Sequence, residues 1–248
     1  MIPKTIHYCW FGGNPLPVSA RKYIQSWKKY FPDYKIVEWN ESNFDVNSIP
    51  YTAEAYKLKK YAFVSDYARF WILYHHGGIY FDVDVEVIKS FNDILEKGSF
   101  MGFENIESTL KGVNPGLGLG SIPEHPFLKK MLDLYCKLSF VDENGNISYK
   151  TIVDNTTEML ISDGLALENR EQDISGFTIY PTEYFCPLPY GANVCTLTSN
   201  TKSIHHYNDS WKPMSRKIKN KILSLIGHRL TMFLVNAKHF VLHKNNNS

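Results

Sequence analysis

The chain of 248 residues has only four cysteines, Cys9, Cys136, Cys186 and Cys195, and no two of them stand in CxxC spacing. That argues against a zinc ribbon and against a disulfide framework. No H-E-x-x-H stretch occurs, so a zincin-type centre is excluded as well. The chain also lacks any uninterrupted apolar run near the roughly 18 residues that a membrane-spanning helix needs. Its amino terminus, MIPKTIHYCWFGG, has no basic region, long apolar stretch and cleavage site of a secretory leader. A reducing, cytoplasmic protein is expected. Internal repeats are missing, and the only low-complexity stretch is the terminal KNNNS. Acidic residues are absent from the last part of the chain: from Ser210 onward there are eight Lys or Arg and no Asp or Glu, while all 25 acids lie in residues 1–209. An acidic body with a basic tail points to an anionic surface as the tail's partner, a membrane ahead of nucleic acid.

What is present suits a globular protein. Hydrophobic residues make up 44% and aromatics 15% of the chain, enough for one large core or a core with a small subdomain. KTIHYCWFGG reads as a buried strand ending in a turn, VSARKYIQSWKKYFP as a helix stopped by Pro32, and YKIVEWN as a second strand. This β-α-β opening favours a parallel sheet and an α/β fold. Residues 51–76 carry the spacing of one long or two short helices, closed by Gly77 and Gly78. FTIYPTEYFCPLPYG is expected to be a strand leading into a loop, and SFVDENGNIS a turn-bearing insertion.

The stretch GGIYFDVDVEV at 77–87 alternates apolar Ile79, Phe81, Val83, Val85 and Val87 with Tyr80, Asp82, Asp84 and Glu86. A single strand with period two would stack the three carboxylates on one face. Such a row needs full exposure or a compensating partner. Two carboxylates of a D-V-D triplet suit a hard divalent cation such as Mn²⁺ or Mg²⁺, which takes oxygen ligands and keeps positions open for phosphate oxygens. An acidic edge strand facing solvent has the same pattern. Upstream, a helical FVSDYARFWILYHH puts Asp66 and Arg69 at i, i+3 and Ser65 and Arg69 at i, i+4, on one side of the helix. An ordinary surface ion pair would show that spacing too. Downstream, SIHHYNDSWKP offers imidazole, hydroxyl and indole groups able to hold a cation or a phosphate oxygen.

In their order along residues 1–211, IPKTIHYCWFGG, SWKKYFPDYKIVEWNE, YAFVSDYARFWILYHHGGIYFDVDVEV and HHYNDSW resemble the family 32 glycosyltransferases. These are DXD-containing sugar transferases that include capsular polysaccharide enzymes and the initiating mannosyltransferase type. The clostridial glucosylating toxins share the motif set. The resemblance implies a GT-A fold, a Rossmann-like mixed sheet flanked by helices over 1–211, followed by a basic amphipathic helical tail over 212–248. It implies retaining transfer from a nucleotide-sugar, dependent on Mn²⁺ or Mg²⁺. By the same likeness Trp10 stacks on the base and Cys9 contacts it through its backbone, Ser65 touches the nucleoside, Asp66 and Arg69 hold the donor sugar, and Tyr80 and Asp82 contact the donor. Asp84, with Asp82, binds the metal, and His206 joins them, His205 being one register step away. Ser210 reaches metal or phosphate, and Trp211 donates to the β-phosphate. No carboxylate announces itself as a nucleophile, and the likeness favours front-face attack.

Asn114 and Gly116 in NPGLGLGS sit where such enzymes place an acceptor-side loop, although a plain surface turn has the same composition. Asp154 and Asn155 are weaker candidates. The expected donor is a UDP-hexose such as UDP-galactose or UDP-N-acetylglucosamine, with GDP-mannose as the alternative. A glycan or lipid-linked glycan is the expected acceptor, with the tail resting on the inner face of the cell membrane. The basic tail carries Ile218, Ile222, Leu225 and Ile226 at helix-compatible spacing, which suits an amphipathic helix at such a surface. Two other classes compete: a metal-dependent phosphohydrolase on Asp82, Asp84 and His206, which leaves Trp10 and the Asp66–Arg69 pair without a role, and a catalytically silent binding protein on the same fold.

Overall fold

The computed structural model describes residues 1–208. Ser210, Trp211 and the tail expected over 212–248 lie outside the described residues. The elements in chain order are β1 (Thr5–Cys9), α1 (Val18–Tyr30), β2 (Lys35–Trp39), α2 (Pro50–Lys57), α3 (Tyr61–His76), β3 (Gly78–Tyr80), β4 (Val85–Val87), α4 (Asn92–Lys97), β5 (Phe100–Ile106), β6 (Thr109–Val113) and β7 (Leu119–Ser121). They continue with α5 (Pro126–Tyr135), α6 (Ile152–Ser162), β8 (Gln172–Ile174), β9 (Phe177–Tyr180), α7 (Thr182–Phe185) and β10 (Ser203–His205). Among the described residues no helix is long and apolar enough to cross a membrane, and all four cysteines are free.

Seven strands run in the order β2-β1-β3-β7-β5-β9-β8, with β6 paired to β5 off that path. β1 pairs parallel with β2 and β3, and β5 parallel with β9, while β7 and β8 run antiparallel to their neighbours. The sheet is therefore mixed. Alternation along each strand sends side chains to two cores. Ile6, Tyr8, Ile79, Phe81 and Phe100 join the core built on α1, α4 and α7, whereas Cys9, Tyr80, Met101 and Phe103 join the core of α3, α5 and α6.

The α1 helix forms where Ala20, Tyr23, Ile24 and Trp27 recur at helical spacing and all four are buried. Trp27 is fully buried, and its indole N–H donates to the Val85 carbonyl at 2.8 Å, which pins β4 to the helix. Residues 50–76 form two helices rather than one. The second ends at Gly77, whose φ of 60° lies in the left-handed region and where a Cβ would stand 2.7 Å from Pro123 and 2.8 Å from Pro3.

The continuous strand expected over 77–87 is broken. β3 ends at Tyr80, the Val85 N–H bonds to the Asp82 carbonyl at 3.0 Å in a turn, and β4 pairs antiparallel with β10 in a separate two-stranded sheet. Apolar alternation continues across this turn because Phe81, Val83 and Val85 all pack into one core. Period two alone does not register the change of partner.

Candidate active site

The parallel strands β1 and β3 end side by side, and ligands of open α/β sheets collect beyond such carboxyl ends. In the register of His7 with Tyr80, the chain leaves β1 at Cys9 and Trp10 and leaves β3 at Phe81 and Asp82. Trp10 is partly exposed. Its backbone N–H bonds to the Trp39 carbonyl at 2.8 Å, and its indole N–H donates to the Asn14 carbonyl at 2.6 Å. The Cys9 thiol is buried, and burial pushes its pKa up to about 12, so it stays protonated.

Against these strand ends lies α3. Asp66 and Arg69, at 7% and 3% exposure, are far too buried for an ordinary surface ion pair. Arg69 Nη2 donates to Asp66 Oδ1 at 2.9 Å and lies 3.4 Å from Asp82 Oδ1, while its Nε donates to the Ser65 carbonyl at 3.2 Å. The guanidinium sits 4.7 Å from the Tyr80 ring centroid, and the Tyr80 hydroxyl donates to Asp82 Oδ1 at 3.0 Å. Arg69 Nη1 is buried with no partner. A buried guanidinium N–H without an acceptor is costly unless a ligand supplies one. Burial drives the Asp66 carboxyl up to about 7 in spite of the attraction of Arg69. The Ser65 hydroxyl turns back to the Tyr61 carbonyl at 3.2 Å, so it is the backbone of Ser65 that serves Arg69.

Beyond the turn, Asp82, Asp84 and His205 each present one ligand atom, all within 4.8 Å of one another. His205 Nε2 lies 2.9 Å from Asp84 Oδ1 and 3.9 Å from Asp82 Oδ2. Burial opposes a charged His205 ring, but Asp84, Asp82 and Glu104 together outweigh it and raise its pKa. Two carboxylate oxygens and one imidazole nitrogen form a donor set that could hold a divalent cation.

The histidine in this group differs from the expected one. His206 Nε2 bonds to Glu86 at 2.8 Å, and its ring stacks on Tyr23 with centroids 4.5 Å apart and planes 8° from parallel. The reason is register: β10 pairs His205 with Val85, so His205 turns toward the D-V-D turn and the next residue faces the opposite way. Glu86 likewise leaves the carboxylate group and takes His206 as its partner.

Asn114 and Gly116 adjoin Asp82. The Gly116 carbonyl accepts the Asp82 backbone N–H at 3.1 Å, and the Asn114 side-chain oxygen accepts the Gly116 N–H at 2.7 Å. A Cβ on Gly116 would stand 2.1 Å from Asp82 Oδ2. Glycine is required there by close approach. Asn155 is buried on α6, and Asp154 is tied to Lys111 at 2.5 Å. Glu104 was missed by the motif reading. This buried acid bonds both Asn114 and the Tyr207 hydroxyl. An acid following the apolar FMGF run of β5 was the available signal.

Residues 17–101 match the family model described as a glycosyltransferase sugar-binding region containing a DXD motif. The uncharacterized glycosyltransferase L373 of Acanthamoeba polyphaga mimivirus is 29% identical over 238 residues, covering 91% of this chain and 92% of the viral protein. The mannosyl phosphorylinositol ceramide synthase SUR1 of Saccharomyces cerevisiae is 30% identical over 166 residues, covering 65% of this chain and 41% of its own length. The chain thus matches about two fifths of that yeast relative. The solved PaToxG glycosyltransferase aligns with a TM-score of 0.50 at 21% identity, over 66% of this chain and 70% of the other. The shared fold is GT-A. With the D-V-D turn, the buried Asp66–Arg69 pair and these matches in place, residues 17–101 resemble the glycosyltransferase sugar-binding region that contains the DXD motif.

Proposed function

We propose that the chain transfers a hexose, with retention of anomeric configuration, from a nucleotide-sugar donor to a glycan or glycolipid acceptor, with Mn²⁺ or Mg²⁺ held by Asp82, Asp84 and His205. One observation carries this reading: Asp82 belongs at once to the Asp84–His205 group and to the buried Asp66–Arg69–Tyr80 network, in which Arg69 Nη1 has no partner. A phosphohydrolase needs only the first of these. A divalent cation held by Asp82, Asp84 and His205 would supply positive charge to offset the negative charge developing on a departing diphosphate.

The chain's own residues do the rest. Arg69 Nη1 donates to a donor oxygen, Asp66 accepts from a sugar hydroxyl, and Tyr80 holds Asp82 in place for both. Trp10 stacks on the base, worth about 1–3 kcal/mol by analogy with base stacking at nucleic-acid sites. Cys9 contributes backbone groups and Ser65 a nucleoside contact. Ser210 and Trp211 act on the diphosphate, and the Asn114–Gly116 loop forms the acceptor side. The eight basic residues from Ser210 onward bring the enzyme to an anionic membrane surface bearing a lipid-linked acceptor.

The toxin-like context of Trp10 supports a UDP-hexose donor. A mannosyl donor is the second reading, favoured by the mannosyltransferase names of the yeast relatives. Calorimetric titration with UDP and with GDP, each with Mn²⁺ and with EDTA, tests the proposal. Metal-dependent binding of UDP supports the first donor, and metal-dependent binding of GDP the second. Binding of neither nucleotide would contradict the transferase site as drawn.

A further inference from the structure

Glu104 is a carboxylate at 6% exposure whose position none of the roles above requires. It stands at an irregularity of the β5–β6 ladder: Glu104 pairs with Gly112, but Asn105 pairs with Leu110, so the register shifts between them. The extra residue is Lys111 on β6, and Glu104 lies on the unbulged strand opposite it. From there Glu104 meets two segments far apart in sequence. Asn114 Nδ2 donates to Glu104 Oε2 in a close bond, and the Tyr207 hydroxyl donates to the same oxygen at 3.1 Å.

Both partners lead to the acidic turn. A carboxylate only accepts, so it directs the Asn114 amide N–H₂ toward itself and the amide oxygen toward the Gly116 N–H. Gly116 in turn holds the Asp82 N–H through its carbonyl. On the other side, Tyr207 has a φ of 46°, a left-handed conformation that a bulky non-glycine residue keeps only where its surroundings impose it. Its ring meets His205 edge-on with centroids 4.1 Å apart, and its hydroxyl lies 3.3 Å from Cys186 Sγ.

We propose that Glu104 is a positioning residue which, through Asn114 and Gly116 on one side and Tyr207 on the other, sets Asp82 and His205 at the spacing a divalent cation needs. The inference rests on the metal-site reading above. Groups standing behind metal ligands in this way change metal affinity by about 10- to 100-fold when removed.

The test is titration of the full chain with Mn²⁺ alone, followed by electron paramagnetic resonance, with thermal melting as a control for folding. Glu104→Ala is expected to weaken Mn²⁺ binding about tenfold or more. Glu104→Gln, which keeps an acceptor oxygen for Asn114, is expected to stay within about threefold of wild type. Should Glu104→Ala fail to fold, Asn114→Leu breaks the same relay at similar volume and carries the same expected loss. The double variant should lose no more than the larger single loss, because coupled residues along one path are non-additive.

Unchanged Mn²⁺ affinity in a folded Glu104→Ala or Asn114→Leu protein would overturn the relay while leaving the metal site standing. Losses that simply add would also overturn it. A wild-type protein that binds no Mn²⁺ would overturn the metal site itself, and the relay with it.

Discussion

The site has two walls of different construction. One is local: Ser65, Asp66, Arg69, Tyr80, Asp82 and Asp84 fall within twenty residues, on a helix, a short strand and the turn that follows the strand. The other gathers Glu104, Asn114, Gly116, His205 and Tyr207 from β5, the β6–β7 loop, β10 and the residues after it. The local wall is held by a guanidinium that bonds Asp66 and approaches Asp82. The gathered wall is held by one buried carboxylate and by strand register. A site of this kind has chemistry written in short motifs and spacing set by long-range pairing.

The contrast can be broken first at Arg69. Arg69→Ala leaves two carboxylates without their counter-charge, and breaking a buried pair from one side costs about 3–5 kcal/mol. Urea unfolding should read that loss, and binding of a sugar nucleotide should weaken more than binding of the bare nucleotide. Equal weakening of both would count against a donor-sugar role for Arg69.

A second effect comes from His7, outside both walls. Its Nδ1 accepts from the Trp39 indole N–H at 3.0 Å, so Nε2 carries the proton and faces the Gly77 carbonyl at 3.0 Å. Burial lowers its pKa from 6.5 to about 4. The unfolded chain therefore takes up a proton that the folded chain refuses as pH falls through this window. Stability is full above 6.5 and declines by about 3 kcal/mol toward pH 4. Unfolding free energies across that range, compared with a folded His7→Gln variant, should show the loss only with histidine present. A flat difference would mean the ring is protonated in place.

Where the walls meet, Gly116→Ala forces a methyl group against Asp82 Oδ2. Overpacking of this kind costs about 1–3 kcal/mol, and Mn²⁺ affinity should fall with it. An unaffected variant would show the loop moving independently of Asp82. The smallest contrast separates adjacent histidines. His205→Ala should weaken Mn²⁺ binding about tenfold, comparable to losses around metal centres, whereas His206→Ala should change it by less than about twofold. The reverse order would restore His206 as the ligand.

The local wall was legible because a helix brings i and i+3 together wherever it forms, so Asp66 and Arg69 could be paired from spacing alone. The first β-α-β unit was legible for a similar reason, from apolar periods and Gly–Gly or Pro stops. The histidine assignment turned on one step of register in β10, which flips a side chain to the opposite face. The unbroken strand expected over 77–87 failed because core packing maintained the alternation through a turn. Glu104 was illegible because its partners lie 10 and 103 positions away.

The most direct measurement of the central claim is calorimetric titration of wild type and Asp84→Asn with UDP and GDP, each with Mn²⁺ and with EDTA. Wild type should bind one nucleotide only with metal, and a folded Asp84→Asn protein should lose that binding. Equal metal-dependent binding by both proteins would contradict a cation centre at Asp82, Asp84 and His205.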